Sequence, residues 1–242
     1  MRLAEAESEL RLRTDDRKGI GASRRIFDVV AAAAGLIALA PLMLLIALAV
    51  YAESRGPIFF SQVRLGERGR HFRMHKFRKF HESGSTRSTA VTVQDDDRMT
   101  RVGRLLARSK LDELPQLWNV LVGDMSVVGP RPESLAFADC FGERYRAVLD
   151  FRPGIFGPNQ VLFRNECSFY RDGIDPEQFY RDVLFPMKAD ADLAYFPHRT
   201  MRRDLAWIVR GMFAVLGFRV RPDRGVNAAA VVEAGLQQRQ QA

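Results

Sequence analysis

At 242 residues the chain is long enough for one domain with a sizeable core. Its 37 Lys and Arg against 29 Asp and Glu, a formal net charge of +8, suit anionic partners: phospholipid, nucleotide diphosphate or nucleic acid. Cys140 and Cys167 lie in no CxxC pair, and His71, His75, His81 and His198 form no zinc pattern. That leaves out a disulfide framework and a structural zinc, and fits a reducing compartment.

Residues 1–23 are polar and mixed in charge, and read as a mobile or loosely helical tail. Arg24-Arg25-Ile26-Phe27-Asp28 then leads into an uncharged run, 29–52. Its 24 residues exceed the ~20 that a bilayer span needs and the about 7–15 of a signal-peptide core. Pro41 divides the run, and at ~1.5 Å per residue each half reaches only ~18 Å of a ~30 Å hydrocarbon core. Arginines flank both sides: Arg24 and Arg25 before, Arg55, Arg64, Arg68 and Arg70 after. The positive-inside tendency keeps both ends in the cytoplasm. A re-entrant helix broken at Pro41 satisfies both facts; a kinked single span satisfies the proline alone. Asp28, an acid at the membrane edge, is expected to pair with a nearby arginine.

In 53–80, Gly56-Pro57 marks a turn. Ile58, Phe59 and Phe60, then Phe72, Met74 and Phe77, predict short strands around a turn at 66–69. Aromatics interleaved with basic residues fit a nucleic-acid surface, a membrane-surface face or a half-buried hairpin. Residues 81–100 read as a loop over the site. Its Asp95, Asp96 and Asp97 lack the spacing of a calcium loop. A basic helix follows from Thr100.

The stretch 109–133, SKLDELPQLWNVLVGDMSVVGPRPE, organises the rest. Leu111, Leu114, Leu117, Trp118 and Leu121 fall at helical steps and predict one buried face. Pro115 suits the first turn, and Gly123 suits the position just past the end. Asp112 and Glu113 stand at the mouth of this helix. They fit a plain cap and a first-turn acid facing the dipole. They fit equally a carboxylate pair that handles a metal-bound phosphate, with Arg131 of the stiff Gly129-Pro130-Arg131-Pro132 loop gripping phosphate oxygens.

Residues 134–150 predict an amphipathic helix, with Leu135, Phe137, Ala138, Phe141, Tyr145 and Leu149 as its apolar set. A helix is expected over 175–195 and a basic amphipathic one over 199–217, where Leu205, Ile208, Met212 and Val215 share a side with Trp207 beside it. The last fits either a bilayer surface or ordinary packing. The tail beyond 222 is small and Gln-rich. The chain holds no internal repeat, GxGxxG or Walker loop.

SKLDELPQLWNVLVGDMSVVGPRP resembles the signature of the bacterial sugar transferases, the monotopic phosphoglycosyl transferases that start glycan assembly on a polyprenol phosphate. The likeness covers roughly 23–217. Arg25, Phe27 and Asp28 match the family's lead-in to its re-entrant helix, whose Ser-Pro break is Ala40-Pro41 here. Gln62, Arg64, Lys76 and Arg78 lie in matching segments and become candidate anion contacts. Arg152 and Gln160 fit the family's RPGITGWAQV loop, but Phe156 stands for Thr and Pro158-Asn159 for Trp-Ala. Ala107 stands where an arginine is usual, with Arg104 or Arg108 as substitutes, and Lys110 replaces a serine.

The resemblance implies transfer of a sugar 1-phosphate from a UDP-sugar to undecaprenyl phosphate, the first membrane step of exopolysaccharide, O-antigen, capsule or glycoprotein glycan assembly. Asp112 would be the nucleophile, Glu113 the Mg²⁺ ligand, and Arg131, Pro130 and the basic residues above the substrate contacts. The expected class is α+β and mainly helical: a Pro-broken re-entrant membrane helix (24–53), then a small β-hairpin and surface amphipathic helices around one catalytic domain (54–220), with tails at 1–23 and 221–242. The expected place is the cytoplasmic face of the bacterial inner membrane. Expected partners are membrane lipids, downstream glycosyltransferases and a second copy of the chain, with no nucleic acid. For this role Asp112 must lie at the bilayer plane, against cations and not deep in packing. The alternative is a non-catalytic, basic membrane-surface scaffold or lipid-binding protein.

Overall fold

The computed structural model describes residues 2–81, 98–164, 166–170, 175–215 and 218, with side chains from 21 onward except 167 and 168. The acid triplet 95–97, the Cys167 side chain and the C-terminal tail lie outside that set. Helix α1, Arg2–Glu53, runs through the segment read as a tail and continues through Pro41, where a break was expected. Within it Gly21–Glu53 is long and apolar enough to cross a membrane, and only 11% of its most apolar window is buried against the rest of the chain. A core helix would be mostly covered, so this one leaves most of its surface for another apolar phase.

Strands β1, Phe59–Leu65, and β2, His71–Phe77, form the expected antiparallel hairpin. Helix α2, Arg101–Ser109, opens on Thr100, whose hydroxyl accepts from the Gly103 amide. A 3₁₀ turn, Leu111–Glu113, precedes α3, Gln116–Val122. Strand β3, Ser126–Val128, pairs in parallel with β4, Gly154–Phe156, a pairing with no signal in the sequence. Between them, 135–150 is a 3₁₀ turn, the short α4 (Gly142–Tyr145) and a second 3₁₀ turn, not the single helix expected. Gly142 adopts φ 37 and ψ −164, which ends the first turn. Phe137, Phe141 and Tyr145 still point inward, with Val148, while Leu135 is exposed. Then come α5, Pro158–Leu162, α6, Pro176–Phe179, and a π turn leading into α7, Phe185–Tyr195. Helix α8, Met201–Val215, buries Trp207, Gly211 and Ala214 and leaves Leu205, Val209, Met212 and Phe213 exposed.

The face expected to be buried in α3 is not the one that packs. Val120, Asn119 and Gln116 are buried, whereas Trp118 is exposed and Leu117 and Leu121 are half-buried. The reason is β2. Asn119 donates to the Arg73 carbonyl at 2.7 Å and accepts from the His75 amide at 3.1 Å, satisfying the free edge of the hairpin. A polar side chain therefore turns inward and pushes the leucine stripe outward. Gly123, at φ 101, ends α3 as expected.

Both ends of the apolar run are tied to this body. Arg25 donates to the Val120 and Leu121 carbonyls at 2.6 and 2.7 Å, capping α3, and Arg24 bonds Asp204 of α8 at 3.2 Å. Asp28 is buried and accepts from the Ser126 hydroxyl at 3.1 Å and the Val127 amide at 2.8 Å, not from the arginine expected. At the far end Glu53 accepts from the Arg101 and Val102 amides at 2.6 and 2.8 Å. Asp28→Ala leaves the Val127 amide buried without its acceptor, so it costs about 1–3 kcal/mol. Asp28→Asn, which keeps an acceptor oxygen, costs less. Thermal melting of the two variants in one detergent gives the ranking, and equal melting points would remove Asp28 as the tie between α1 and β3.

Candidate active site

A cavity of about 1060 Å³ opens between α1, the hairpin, the 3₁₀ turn and α8. Its wall carries the charged Lys76, Lys79, Glu113, Arg131 and Arg64 and the small or apolar Phe27, Gly35, Leu117 and Met212. Asn119 sets the charged part, because it holds β2 against α3 and so brings Lys76 beside the turn that carries Glu113. The Lys76 ammonium lies 2.8 Å from Glu113 Oε1, and the Arg131 guanidinium lies 3.9 Å from the same oxygen. Burial alone would push the Glu113 carboxyl up, but Lys76, Arg131 and Lys110 outweigh it and hold it well below the usual range. Burial pulls Lys76 down to about 8 against the opposing pull of Glu113 and Asp112.

Arg131 is placed by a close backbone crossing. The Gly154 amide donates to the Pro130 carbonyl at 2.8 Å and the Gly129 amide to the Phe156 carbonyl at 2.9 Å. The Gln160 amide group donates to the Gly129 and Gly154 carbonyls at 3.1 and 2.9 Å. Gln160 thus lines the cavity as the latch of the Arg131 loop, and buried Pro130 serves through its carbonyl.

Asp112 meets one requirement and misses another. The Lys79 ammonium stands 3.0 Å from its Oδ2, so the carboxylate faces a cation cluster. Yet Asp112 is 1% exposed and does not line the cavity, while Lys79 does. Neither carboxylate oxygen makes a directed hydrogen bond, so Asp112 is not a helix cap. That removes the helix-cap reading of this acid. Lys79, and not Asp112, is the member of this pair on the cavity wall. Lys79 was indistinguishable in sequence from its basic neighbours; only folding sets it against the acid.

The other expected contacts divide. Arg64 and Arg108 line the cavity, with Arg104 and Ala107 beside them. Arg78 is buried at the end of α1, where it donates to the Ser54 carbonyl. Arg152 pairs with Glu67 at 3.1 Å, and Gln62 accepts from Arg64 at 2.7 Å. None of these three lines the cavity. Among the described residues no three His, Cys, Asp or Glu side chains converge as metal ligands. Glu113, one ionised carboxylate on the cavity wall, fits a Mg²⁺ that takes its remaining ligands from phosphate and water.

Residues 20–218 match the family model described as bacterial sugar transferase. The chain is 39% identical over 203 residues to a UDP-glucose:undecaprenyl-phosphate glucose-1-phosphate transferase of Caulobacter vibrioides, covering 83% of this chain and 72% of that one. It is 40% identical over 144 residues to a UDP-N-acetylgalactosamine-undecaprenyl-phosphate N-acetylgalactosaminephosphotransferase of Aeromonas hydrophila, covering 57% and 34%. It is 48% identical over 145 residues to an undecaprenyl-phosphate glucose phosphotransferase of Komagataeibacter xylinus, covering 57% and 27%. The match thus spans about a third or less of the last two relatives.

Proposed function

The chain belongs to the bacterial sugar transferase family, and we propose that it transfers a sugar 1-phosphate from a UDP-sugar to undecaprenyl phosphate. The observation that carries this reading is one cavity that joins the cations around Asp112 and Glu113 to the apolar faces of α1 and α8. A water-soluble nucleotide and a lipid phosphate need such a junction.

An Asp112 carboxylate oxygen attacks the sugar-proximal phosphorus. The bond from that phosphorus to the bridging oxygen breaks, and UMP leaves with the oxygen. The phosphosugar is then an acyl phosphate on Asp112. A phosphate oxygen of the polyprenol attacks the same phosphorus, the aspartyl bond breaks, and the carboxylate is restored. Lys79 first leaves Asp112 for the incoming phosphate oxygens. Arg131 and Lys76 hold those oxygens, with Arg64 and Arg108 further along the wall. Glu113 would hold Mg²⁺, which supplies added positive charge against the diphosphate.

The anchor follows from the same geometry. Ile37, Leu44, Leu45 and Leu48 of α1 and Leu205, Met212 and Phe213 of α8 are exposed and apolar. Arg24 to Asp28 and Glu53 bind both ends of the run to one water-facing body, which supports a re-entrant seat in the cytoplasmic face of the inner membrane over a span with ends on opposite sides. The lipid-linked sugar made there is what a downstream glycosyltransferase extends, and a homodimer stays compatible with this seat.

Purified protein given UDP-sugars, Mg²⁺ and undecaprenyl phosphate should release UMP. No release across a broad sugar panel would favour the lipid-binding scaffold, and salt-sensitive binding to DNA or RNA would favour a nucleic-acid role. The donor site also has an alkaline edge. Lys76 loses its proton near pH 8 and with it the attraction for phosphate, so KM for the UDP-sugar rises as pH passes from 7 to 9. A KM that stays flat over that window would remove Lys76 from donor binding.

A further inference from the structure

Part of the cavity wall has no use in the transfer chemistry. Glu133, Glu166, Tyr180, Lys188 and Asn159 line it, with Phe137 and Phe163 supplying ring surface, and Arg131 feels the charges of the first three. Lys188 and Tyr180 are each 3% exposed and Asn159 is 2% exposed. The Lys188 ammonium lies 2.6 Å from Glu166 Oε2 and 3.2 Å from the Tyr180 hydroxyl. Asn159 donates to the Lys188 carbonyl at 3.1 Å and to Asp192 Oδ2 at 2.7 Å, which leaves its own Oδ1 buried without a partner. An unpaired buried acceptor is costly unless something arrives to satisfy it.

The chemistry of this wall excludes most occupants. Two carboxylates, Glu133 and Glu166, repel a phosphate. Buried charged groups reject an alkyl chain, because burying them against hydrocarbon forfeits their bonds. What fits is a neutral ring that both donates and accepts. Paired hydroxyls give protons to a carboxylate and take them from an ammonium or phenol, while aromatic side chains cover the ring's C–H face. The position suits this too, since Arg131, 3.9 Å from Glu113, also feels the charges of Glu166 and Glu133.

We propose that the Glu133, Glu166, Tyr180, Lys188 and Asn159 cluster on the cavity wall is the sugar-recognition subsite, which binds the hydroxyls of the donor's hexose. This rests on the transferase reading. The test separates the two by comparing UDP, which lacks the sugar, with UDP-glucose, UDP-galactose and UDP-N-acetylglucosamine. Binding is measured by calorimetry on the full chain in nanodiscs, in an Asp112→Asn background that stops turnover. Adding Glu166→Gln should weaken the tightest UDP-sugar about tenfold or more, because the site then lacks its charged acceptor. UDP binding should be unchanged or tighter, since a repelling charge is gone. Tyr180→Phe removes one hydroxyl and should act in the same direction more weakly, and it decides the matter alone if the first variant does not fold. Equal weakening of UDP and UDP-sugar would place uridine at this cluster and overturn the proposal. So would no change in either ligand for a variant with an unaltered melting temperature. Failure of every UDP-sugar and of UDP to bind the background protein overturns the transferase reading, and this one with it.

Discussion

Asp112→Asn should abolish the covalent phosphosugar adduct and lower UMP release on the order of 10³-fold or more, with little change in fold stability. The amide is close in shape to the carboxylate, so packing around a side chain that is 1% exposed is kept. What is lost is the nucleophile of the proposed mechanism. The charge change is tolerable because the Asp112 oxygens accept no directed hydrogen bond, and Lys79, whose side chain is 21% exposed, can turn to water. Mass spectrometry of protein quenched with donor alone should find the adduct on Asp112 in the wild type and nowhere in the variant. An adduct on Glu113, or UMP release that the substitution leaves intact, would move the nucleophile elsewhere. The buried Asp112 gives this test its force, because a purely structural acid would instead show its loss in the melting curve.

Gly154→Ala should be severely destabilising. An added Cβ would lie 2.6 Å from Gly129 Cα and 2.7 Å from the Val128 carbonyl carbon, with the Gly129 amide nitrogen closer still. Those are backbone atoms, so no rotamer relieves the clash. The β3–β4 pair must part, which breaks the bonds between Gly154 and Pro130 and between Gly129 and Phe156. Overpacking that also removes paired buried amides costs about 3 kcal/mol or more, which lowers the melting temperature of a chain this size by roughly 6–12 °C. Activity should fall as well, because Arg131 sits two residues past Gly129. Gly21→Ala, whose Cβ meets nothing within 4 Å, is the matched control. A variant that melts with the wild type would mean that the crossing is looser than described.

The elements differ in how far their residues announce them. The hairpin was legible because alternation and a Gly-rich turn are local signals, and α1 was legible because its composition is extreme. Gly123 was legible because a positive φ selects for glycine at one point. Residues 135–150 misled, since an apolar spacing of three and four also suits tight 3₁₀ turns. The α3 stripe misled in a more instructive way. Periodicity marks which residues are apolar, but Asn119 gains two backbone bonds by turning inward, and the leucines are left half-buried at the margins of the core clusters and against α1.

The sequence by itself determined the chemistry on offer: the adjacent acids, the proline-framed arginine, the apolar run with basic flanks, and the family to which they belong. These are contiguous, and short-range pattern is enough to read them. Tertiary structure alone decided which cation meets which acid. Lys79 against Asp112, Lys76 against Glu113, and Asp28 on β3 join residues far apart in the chain. It also decided that Arg78, Arg152 and Gln62 stay off the cavity wall. The physical reason is that a cationic side chain carries no mark of its partner, and its pairing is set by which backbone segments the core brings together.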